Sequence, residues 1–338
     1  MYLSIVIPCL IAFLGTFFIT PYFIKILKLE GIVGHDQMKK GKPKIPEMGA
    51  PPVIFGFIAG IFAYVFAQTF FIQTITSNQL LYLLAAITTI IIIAFIGVID
   101  ELTCLIKENQ GKTGFKAFKR KGLSKITQTL IPLPAAIPLM AVSAGITALT
   151  IPIFGYFDFG IIYPLIIIPL AITGAANATN MLAGFNGLET GIGIVLLSFL
   201  GYFAYINNSF SAALLAFTFA ASLIAFLIYN WYPAKIFPGG LTYVIGAAIA
   251  SVAIIGQIQK FALLCFAPFF IELILKAKSK FKAENFGTLQ KNGTLKAPKK
   301  AGSLTHVVMK MGKFKEHQVS TILILSFAVW CLFVLMVI

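Results

Sequence analysis

The stretch LLYLLAAITTIIIIAFIGVI, residues Leu80–Ile99, contains no charged residue and is followed immediately by Asp100 and Glu101. An α-helix rises about 1.5 Å per residue, so about 20 apolar residues cross the ~30 Å hydrocarbon core of a bilayer. We therefore predict a membrane-spanning helix over this stretch, with two carboxylates at the point where the helix meets water.

Similar apolar blocks recur along the whole chain. Hydrophobic residues make up 59% of the 338 residues and charged residues only 11%, whereas a soluble domain uses roughly 25% charged residues to cover its surface. We predict an all-α polytopic membrane protein, a single domain over residues 1–338 with about ten transmembrane helices. The predicted spans are Leu3–Leu27, Pro51–Phe71, Leu80–Ile99, Ile126–Ile146, Ile161–Ala176, Leu188–Ile206, Ala212–Ile228, Thr242–Gly256, Phe261–Leu275 and Val319–Val337.

The net charge of +15 would suit a nucleic-acid-binding protein, but its distribution argues against nucleic acid as a partner. With ten spans, every Lys and Arg except Lys260 falls in loops on one side of the membrane. By the positive-inside rule that side is cytoplasmic, which puts both termini outside the cell membrane. On the outer side, the stretch LTIPIFGYFDFG, residues 149–160, predicts a small external β-hairpin.

Two groups of polar residues interrupt the apolar pattern on the predicted cytoplasmic side. A carboxylate pair at the membrane boundary, Asp100 and Glu101, is costly unless it binds a cation or acts as a base; a helix end reaching water is the simpler alternative. Asn177 and Asn180 would share one face of a helical turn, in a glycine-rich stretch that also holds Asn186. Amide oxygens are hard ligands that suit Mg²⁺, although a turn before a new helix would use the same residues.

Three further features are weak when each is considered alone. The stretch NWYPAKIFPGG, residues 230–240, could be a plain turn between two spans, and the Met48–Ala50 step could let a flat ligand lie on the backbone. Lys125 follows the basic run Lys116–Lys121 and could neutralise a phosphate, although ordinary solvated lysines would look the same. His306 could have a functional role, or could equally be an ordinary interfacial histidine.

Taken together, five stretches resemble the polyprenyl-phosphate N-acetylhexosamine-1-phosphate transferases, most closely the archaeal and eukaryotic enzymes that act on dolichyl phosphate. They are PEMGA (Pro46–Ala50), VIDE (Val98–Glu101), NATNMLAGFNGLE (Asn177–Glu189), NWYPAKIFPGG (Asn230–Gly240) and SLTHVVMKMGKFKE (Ser303–Glu316). They occur in the order of the family, each on a predicted cytoplasmic loop. Ala183 stands where bacterial relatives that act on muramoyl-pentapeptide have Asp, which favours the dolichol branch.

The resemblance implies a specific reaction and fold. Such an enzyme transfers GlcNAc-1-phosphate from UDP-GlcNAc to a polyprenyl or dolichyl phosphate and releases UMP. It uses Mg²⁺, and its ten helices form an active-site cleft on the cytoplasmic side. The expected partners are therefore the nucleotide sugar, the lipid phosphate and the membrane, with a homodimer as one further arrangement to consider.

The resemblance also implies roles for individual residues. Asp100 and Glu101 would be the catalytic carboxylates near the lipid phosphate, and Lys125 would contact phosphate. Asn180 would ligate Mg²⁺. The expected substrate-binding residues are Met48, Gly49, Ala50, Asn177, Asn186 and Lys282, of which Asn186 and the Met48–Ala50 step would hold the uracil and Lys282 the pyrophosphate.

The sequence departs from the family pattern at three positions. The family usually has Asp where Glu101 stands, Gly where Ala50 stands, and a metal-binding Asp where Gly240 stands. The last change removes a ligand and a charge, so we expect Gly240→Asp to strengthen metal binding. The absence of Asp at position 240 also leaves a second interpretation open, in which the chain is a weakened or inactive relative that binds nucleotide sugar or lipid without turnover. A secondary transporter is a further alternative, disfavoured because the polar motifs gather at one face instead of at mid-membrane.

Overall fold

Long apolar helices make up most of the structure, a computed structural model that describes residues 3–109, 125–144, 148–151 and 155–338. The helices are α1 Leu3–Leu29, α2 Ala50–Ala67, α3 Ser77–Asn109, α4 Lys125–Leu130, α5 Ile137–Ala141, α6 Ile168–Met181, α7 Leu188–Ile206, α8 Phe210–Asn230, α9 Leu241–Ile255, α10 Gln259–Cys265, α11 Ala267–Lys278, α12 Leu304–Met311 and α13 Glu316–Val337. Short π-helical turns extend α2 over Gln68–Ile72 and precede α6 over Tyr163–Ile167.

Seven helical segments in the described part of the chain have the length and hydropathy to cross a membrane. They are Leu3–Leu29, Ala50–Ile72, Ser77–Leu102, Tyr163–Met181, Leu188–Ile206, Phe210–Asn230 and Glu316–Val337. This confirms a polytopic, mainly helical membrane protein, and the stretch that opened the sequence analysis forms most of the third segment.

The three remaining predicted spans take other forms. The eighth is the 15-residue helix α9, which is apolar but short. The fourth is divided into α4, a 3₁₀ turn at Leu133–Ala136 and α5, and the ninth is divided between α10 and α11. Proline explains both breaks, because it has no amide hydrogen to donate and its ring clashes with the preceding turn; Pro132, Pro134 and Pro138 punctuate the fourth stretch, and Pro268 opens α11.

Helix α9 forms the centre of the fold. Every residue of α9 except Ile255 is buried, and the helix packs against α3, α6, α7 and α8. Helices α1 and α2 pack against each other and against α8, so they form one flank of the molecule. A short helix can serve as the centre because its neighbours shield it from the surroundings on all sides.

Three small antiparallel strand pairs lie between the helices. Strand β1 (Val33–His35) pairs with β2 (Lys44–Pro46) in the connection from α1 to α2. Strands β3 (Ala148–Ile151) and β4 (Gly155–Asp158) pair within the stretch expected to form a hairpin, whose position outside the membrane stays a prediction. Strands β5 (Thr288–Leu289) and β6 (Leu295–Lys296) pair in the segment between α11 and α12.

Many helix termini meet at one end of the molecule. The start of α2 contacts the connection from α8 to α9 through backbone hydrogen bonds, and the end of α6 is linked to the start of α9 through side chains. The backbone of α3 touches the same connection. The fifth stretch joins them through Glu316, whose carboxylate accepts the backbone N–H of Asn186, so all five stretches that carry the family resemblance share this end.

Candidate active site

The connection from α8 to α9 pairs with the segment that leads into α2. Phe237 donates its backbone N–H to the carbonyl of Pro46 at 2.8 Å, and Gly49 donates to the carbonyl of Pro238 at 3.0 Å. Between these contacts the buried Met48 has a φ of 124°, a conformation that strains any residue with a side chain. The predicted ligand-facing Met48–Ala50 step is thus held rigidly against the Pro238–Gly240 turn.

Helix α3 reaches the same turn through a contact between two glycines. A side-chain carbon added to Gly240 would lie 2.5 Å from both the Cα and the carbonyl carbon of Gly97, and one added to Gly97 would lie 2.8 Å from the carbonyl oxygen of Gly240. Such distances are far below ordinary van der Waals separations, so neither position has room for a Cβ. The backbones of α3 and the turn therefore touch directly.

One turn further along α3, the Glu101 side chain covers Gly239. A carboxylate oxygen of Glu101 lies 3.0 Å from the place where a Cβ of Gly239 would be. Gly239 has a φ of +52°, a left-handed conformation that glycine adopts without strain. Asp100, the preceding predicted catalytic residue, is half-buried on the same helix.

Asn180 is fixed on the other side of the turn by the first residues of α9. Its amide oxygen accepts a hydrogen bond from the Thr242 hydroxyl at 2.8 Å, and its amide nitrogen donates to the Tyr243 hydroxyl at 2.9 Å. The Thr242 hydroxyl also lies 3.2 Å from the carbonyl oxygen of Gly239. Asn180 and Glu101 therefore flank the same short stretch of backbone.

A groove of about 1010 Å³ opens from this end along α6. Its wall includes residues at both ends of the Tyr163–Met181 segment, together with apolar side chains of α9, α10 and α11. Asn177 and Asn180 line it on one face, as their spacing predicted, and Asn177 also donates hydrogen bonds to the carbonyls of Thr173 and Thr129. At the end away from the motifs, the Gln259 side chain donates to the Tyr163 hydroxyl at 2.7 Å. Both lysines of the groove lie at the end where the motifs meet, together with Asn177, Asn180 and Tyr243.

Lys276 is the buried cation at that end, and the sequence analysis did not select it. Its ammonium donates to the carbonyl of Ala283 at 2.8 Å and to the Asn285 side chain at 2.5 Å, and lies 3.7 Å from a Glu272 carboxylate oxygen. Lys282, the predicted phosphate ligand, is exposed and does not line the groove. A lysine four residues after a glutamate at the end of an apolar helix was the available signal.

Asn186 lies away from the groove in a buried polar network. Its side chain is only 3% exposed and donates to Asp36 at 3.2 Å, while its backbone N–H donates to Glu316 at 3.0 Å. Lys39 pairs with Asp36 at 2.6 Å and lies over the ring of Tyr232. The network joins the β1–β2 connection to the start of α13, and the proposed contact of Asn186 with uracil stays a prediction.

Lys125 is the first residue of α4, and its side chain lies outside the part of the chain that the structure describes. Among the described residues, no three His, Cys, Asp or Glu side chains converge to hold a metal ion by themselves. The structure thus brings Asn177, Asn180, Glu101 and the Met48–Ala50 step to one end of the fold, and adds Tyr243 and Lys276 to them.

His306 is part of the scaffold of this end. Its Nδ1 accepts the backbone N–H of Gly302 at 3.1 Å, so the proton is assigned to Nε2, which donates to the carbonyl of Phe286 at 3.1 Å. Burial lowers the pKa of His306, which favours the neutral ring that this arrangement needs. The histidine ties α12 to the segment that holds Asn285 and Lys276.

Comparison with known proteins shows the family to which the chain belongs. The family model described as glycosyl transferase family 4 matches residues 83–257. A protein of Saccharolobus solfataricus, provisionally named UDP-N-acetylglucosamine–dolichyl-phosphate N-acetylglucosaminephosphotransferase, is 38% identical over 324 residues, which are 95% of this chain and 92% of that protein. A Sulfolobus acidocaldarius protein with the same provisional name is 34% identical over the same shares of both chains.

A bacterial relative is more distant. The phospho-N-acetylmuramoyl-pentapeptide-transferase of Streptococcus equi subsp. zooepidemicus is 29% identical over 252 residues, which are 72% of this chain and 71% of that protein. The family model covers more than half of the chain, and the similarity to the archaeal proteins extends over nearly all of it. This protein therefore belongs to glycosyl transferase family 4.

Proposed function

We propose that the protein transfers GlcNAc-1-phosphate from UDP-GlcNAc to a polyprenyl phosphate such as dolichyl phosphate and releases UMP. The observation that carries the proposal is the groove along α6, apolar for most of its length and polar at the end where the family motifs meet. The names of the two archaeal relatives support the same donor and acceptor. The chain is thus a membrane-embedded phosphosugar transferase.

The shape of the groove suits a lipid acceptor. It follows a segment of 19 residues, Tyr163–Met181, which at about 1.5 Å per residue corresponds to roughly 27 Å, close to the hydrocarbon thickness of a bilayer. A prenyl chain lying in it would place its phosphate near Asn177, Asn180 and Lys276. Holding the lipid phosphate there, beside the bound nucleotide sugar, would convert a bimolecular reaction into an effectively unimolecular one.

The polar end suits phosphoryl transfer. That reaction depends mainly on positioning and on neutralising phosphate charge with cations. Lys276 supplies a fixed positive charge, and Asn180 and Glu101 supply hard oxygen donors beside the Gly239–Gly240 turn. Mg²⁺ is commonly held by one or two carboxylates together with substrate phosphates, so this donor set fits a divalent cation that the nucleotide helps to bind. Such a cation would polarise the pyrophosphate.

We place the active site on the cytoplasmic side and both termini outside. The support is the charge asymmetry of the sequence, in which Lys260 alone lies opposite the other basic residues. The nucleotide sugar would then arrive from the cytoplasm and the lipid phosphate from the inner leaflet.

A non-catalytic relative is the second candidate, because the Gly239–Gly240 turn carries no carboxylate. A binding protein would retain UDP-GlcNAc without releasing UMP. Binding of UDP-GlcNAc without any release of UMP would therefore identify the non-catalytic relative.

The test measures UMP release by the purified protein in lipid nanodiscs. We expect release from UDP-GlcNAc only when polyprenyl phosphate and a divalent cation are both present, with chelation by EDTA abolishing it. Lys276→Met should release UMP more slowly than wild type, and Lys278→Met, a substitution of an exposed lysine on the same helix, should release it at the wild-type rate. Nucleotide binding without any release would favour the non-catalytic candidate instead.

A further inference from the structure

The groove along α6 ends in a second polar pair, Tyr163 and Gln259, at the end away from the family motifs. Helices α6 and α9 lie side by side in opposite directions, and near the motifs the Thr179 hydroxyl donates to the carbonyl of Thr242 at 2.7 Å. Tyr163 precedes α6 and Gln259 follows α9, so their hydrogen bond of 2.7 Å closes the opposite end of the helix pair. Both side chains line the groove.

The hydrogen bonding of this pair is incomplete. Tyr163 is only 2% exposed, and the side-chain oxygen of Gln259 is buried without a hydrogen-bond partner among the described residues. A carbonyl oxygen accepts hydrogen bonds through two lone pairs, so this atom still needs a donor. Leaving it unpaired costs free energy, which a donor such as a water molecule would offset.

Between its two polar ends the groove has an apolar wall. Its apolar residues include Ile168, Ala171, Ile249, Ala253 and Leu263. A prenyl chain lying against this wall gains free energy from each CH₂ group that it covers. A chain that continued over Gln259 would shut the unpaired oxygen off from any donor, and the cost of that isolation would oppose the gain. The favourable path for a hydrocarbon chain therefore ends at Gln259.

We propose that Tyr163 and Gln259 set the length of prenyl chain that the groove holds, and that the rest of a longer acceptor leaves the groove there and lies in the bilayer. The inference deepens the proposed function and rests on it for the lipid phosphate at the opposite end. The Tyr163–Met181 segment of 19 residues corresponds to roughly 27 Å. The protein should therefore discriminate by tail length among acceptors shorter than this and treat all longer acceptors alike.

The test measures the binding of prenyl phosphates to the purified protein in detergent by native mass spectrometry. The tail of farnesyl phosphate is shorter than the groove, whereas the tails of solanesyl phosphate and undecaprenyl phosphate are longer. We expect farnesyl phosphate to bind wild type most weakly, because its tail leaves part of the apolar wall uncovered. Solanesyl phosphate and undecaprenyl phosphate should bind equally well, since both tails cover the wall as far as Gln259.

The decisive variant replaces both members of the pair, Tyr163→Phe with Gln259→Leu, because removing one alone would leave the other unpaired. We expect it to bind undecaprenyl phosphate about tenfold more tightly than wild type, since no polar atom then opposes the chain. It should bind farnesyl phosphate like wild type, because that tail does not reach the pair. Lys260→Leu adds the same apolar side chain at an exposed position outside the groove and is the matched control, which should bind both lipids like wild type.

Equal affinity of wild type and the double variant for undecaprenyl phosphate would overturn the inference, and so would an equal gain for farnesyl phosphate. If the double variant binds neither lipid, Leu263→Asn decides instead, because Leu263 is exposed and lines the groove one turn after Gln259 on α10. A new amide there should weaken the binding of undecaprenyl phosphate and leave that of farnesyl phosphate unchanged, and unchanged binding of both would overturn the inference.

The binding measurement is independent of turnover. Binding that depends on tail length and on the Tyr163–Gln259 pair, in a protein that releases no UMP, would sustain this inference while refuting the proposed function. Release of UMP together with lipid binding that ignores the pair would refute the inference and leave the proposed function in place.

Discussion

Within the described part of the chain, the groove along α6 and a second apolar groove between α1 and α2 differ in how they end. The groove along α6 ends in amide, phenol and ammonium groups. A second groove of about 690 Å³, between α1 and α2, is lined by aliphatic and aromatic residues such as Leu14, Phe18 and Phe55, with the Tyr22 ring among them. Exposed apolar surface is ordinary in a membrane protein, since the hydrocarbon of the bilayer covers it. What distinguishes a substrate site is the polar end, where an anionic head group can be held.

The largest difference between the grooves should follow from removing the buried cation. Lys276→Met takes away the proposed charge-assisted contact with the lipid phosphate, worth about 1.5–3 kcal/mol. It also leaves the side-chain oxygen of Asn285 without its donor. Each 1.4 kcal/mol corresponds to a factor of ten, so kcat/KM for the lipid phosphate should fall by roughly 10- to 100-fold. Steady-state kinetics with Lys278→Met as the control would show it, and equal rates for the two variants would mean that the polar end holds no phosphate.

A smaller effect should come from narrowing each groove by the same amount. Ala178 lines the groove along α6, and Ala59 lines the groove between α1 and α2. Leucine adds three carbon atoms, which displace lipid contacts worth about 0.8 kcal/mol for each CH₂. The loss of up to about 2.4 kcal/mol predicts that Ala178→Leu raises the KM for polyprenyl phosphate by up to about 50-fold, while Ala59→Leu leaves it unchanged. A matched rise in both variants would show that general lipid packing, and not the groove along α6, sets this KM.

The smallest effect should be on the pH dependence of stability, through His306 in the segment that supports the polar end of the groove along α6. Burial lowers the folded pKa of His306 below its unfolded value of about 6.5, so its neutral form contributes stability above that pH. As pH falls below about 6.5 the unfolded state takes up the proton first, and the free energy of unfolding decreases. Between pH 7.5 and 5.5 the Tm of wild type should therefore change less favourably on acidification than the Tm of His306→Asn, which lacks this titrating group. His317→Asn is the control and should follow wild type.

The sequence was sufficient for the class of fold because apolar length alone predicts a spanning helix. The seven confirmed segments include Leu188–Ile206, whose predicted and observed bounds coincide. The fourth and ninth spans were misjudged because hydropathy does not register Pro134 or Pro268, each of which interrupts the backbone hydrogen bonds of a helix.

The site was predictable only as a set of stretches. Asn177 and Asn180 could be placed on one face because helical spacing is local, and both line the groove. The position of the Glu101 side chain could not be predicted, since it depends on the contact of Gly97 with Gly240, which is far along the chain. Lys282 was predicted from the family resemblance, as the nearest basic residue in the last long loop. Lys276 could not be selected from the sequence, because the burial that distinguishes it from neighbouring lysines is a property of the folded chain.

The glycine contact also bears on the order in which the protein is made. Position 97 leaves the ribosome long before position 240, and synthesis adds roughly 5–20 residues per second, so α3 enters the membrane about 7–30 s before its partner exists. During that interval the Glu101 side chain lacks the Gly239 backbone against which it packs in the folded protein. Assembly of this end of the fold is therefore a late event in biogenesis, and a chain interrupted before α9 would hold the acidic end of α3 without the Gly239–Gly240 turn that packs against it.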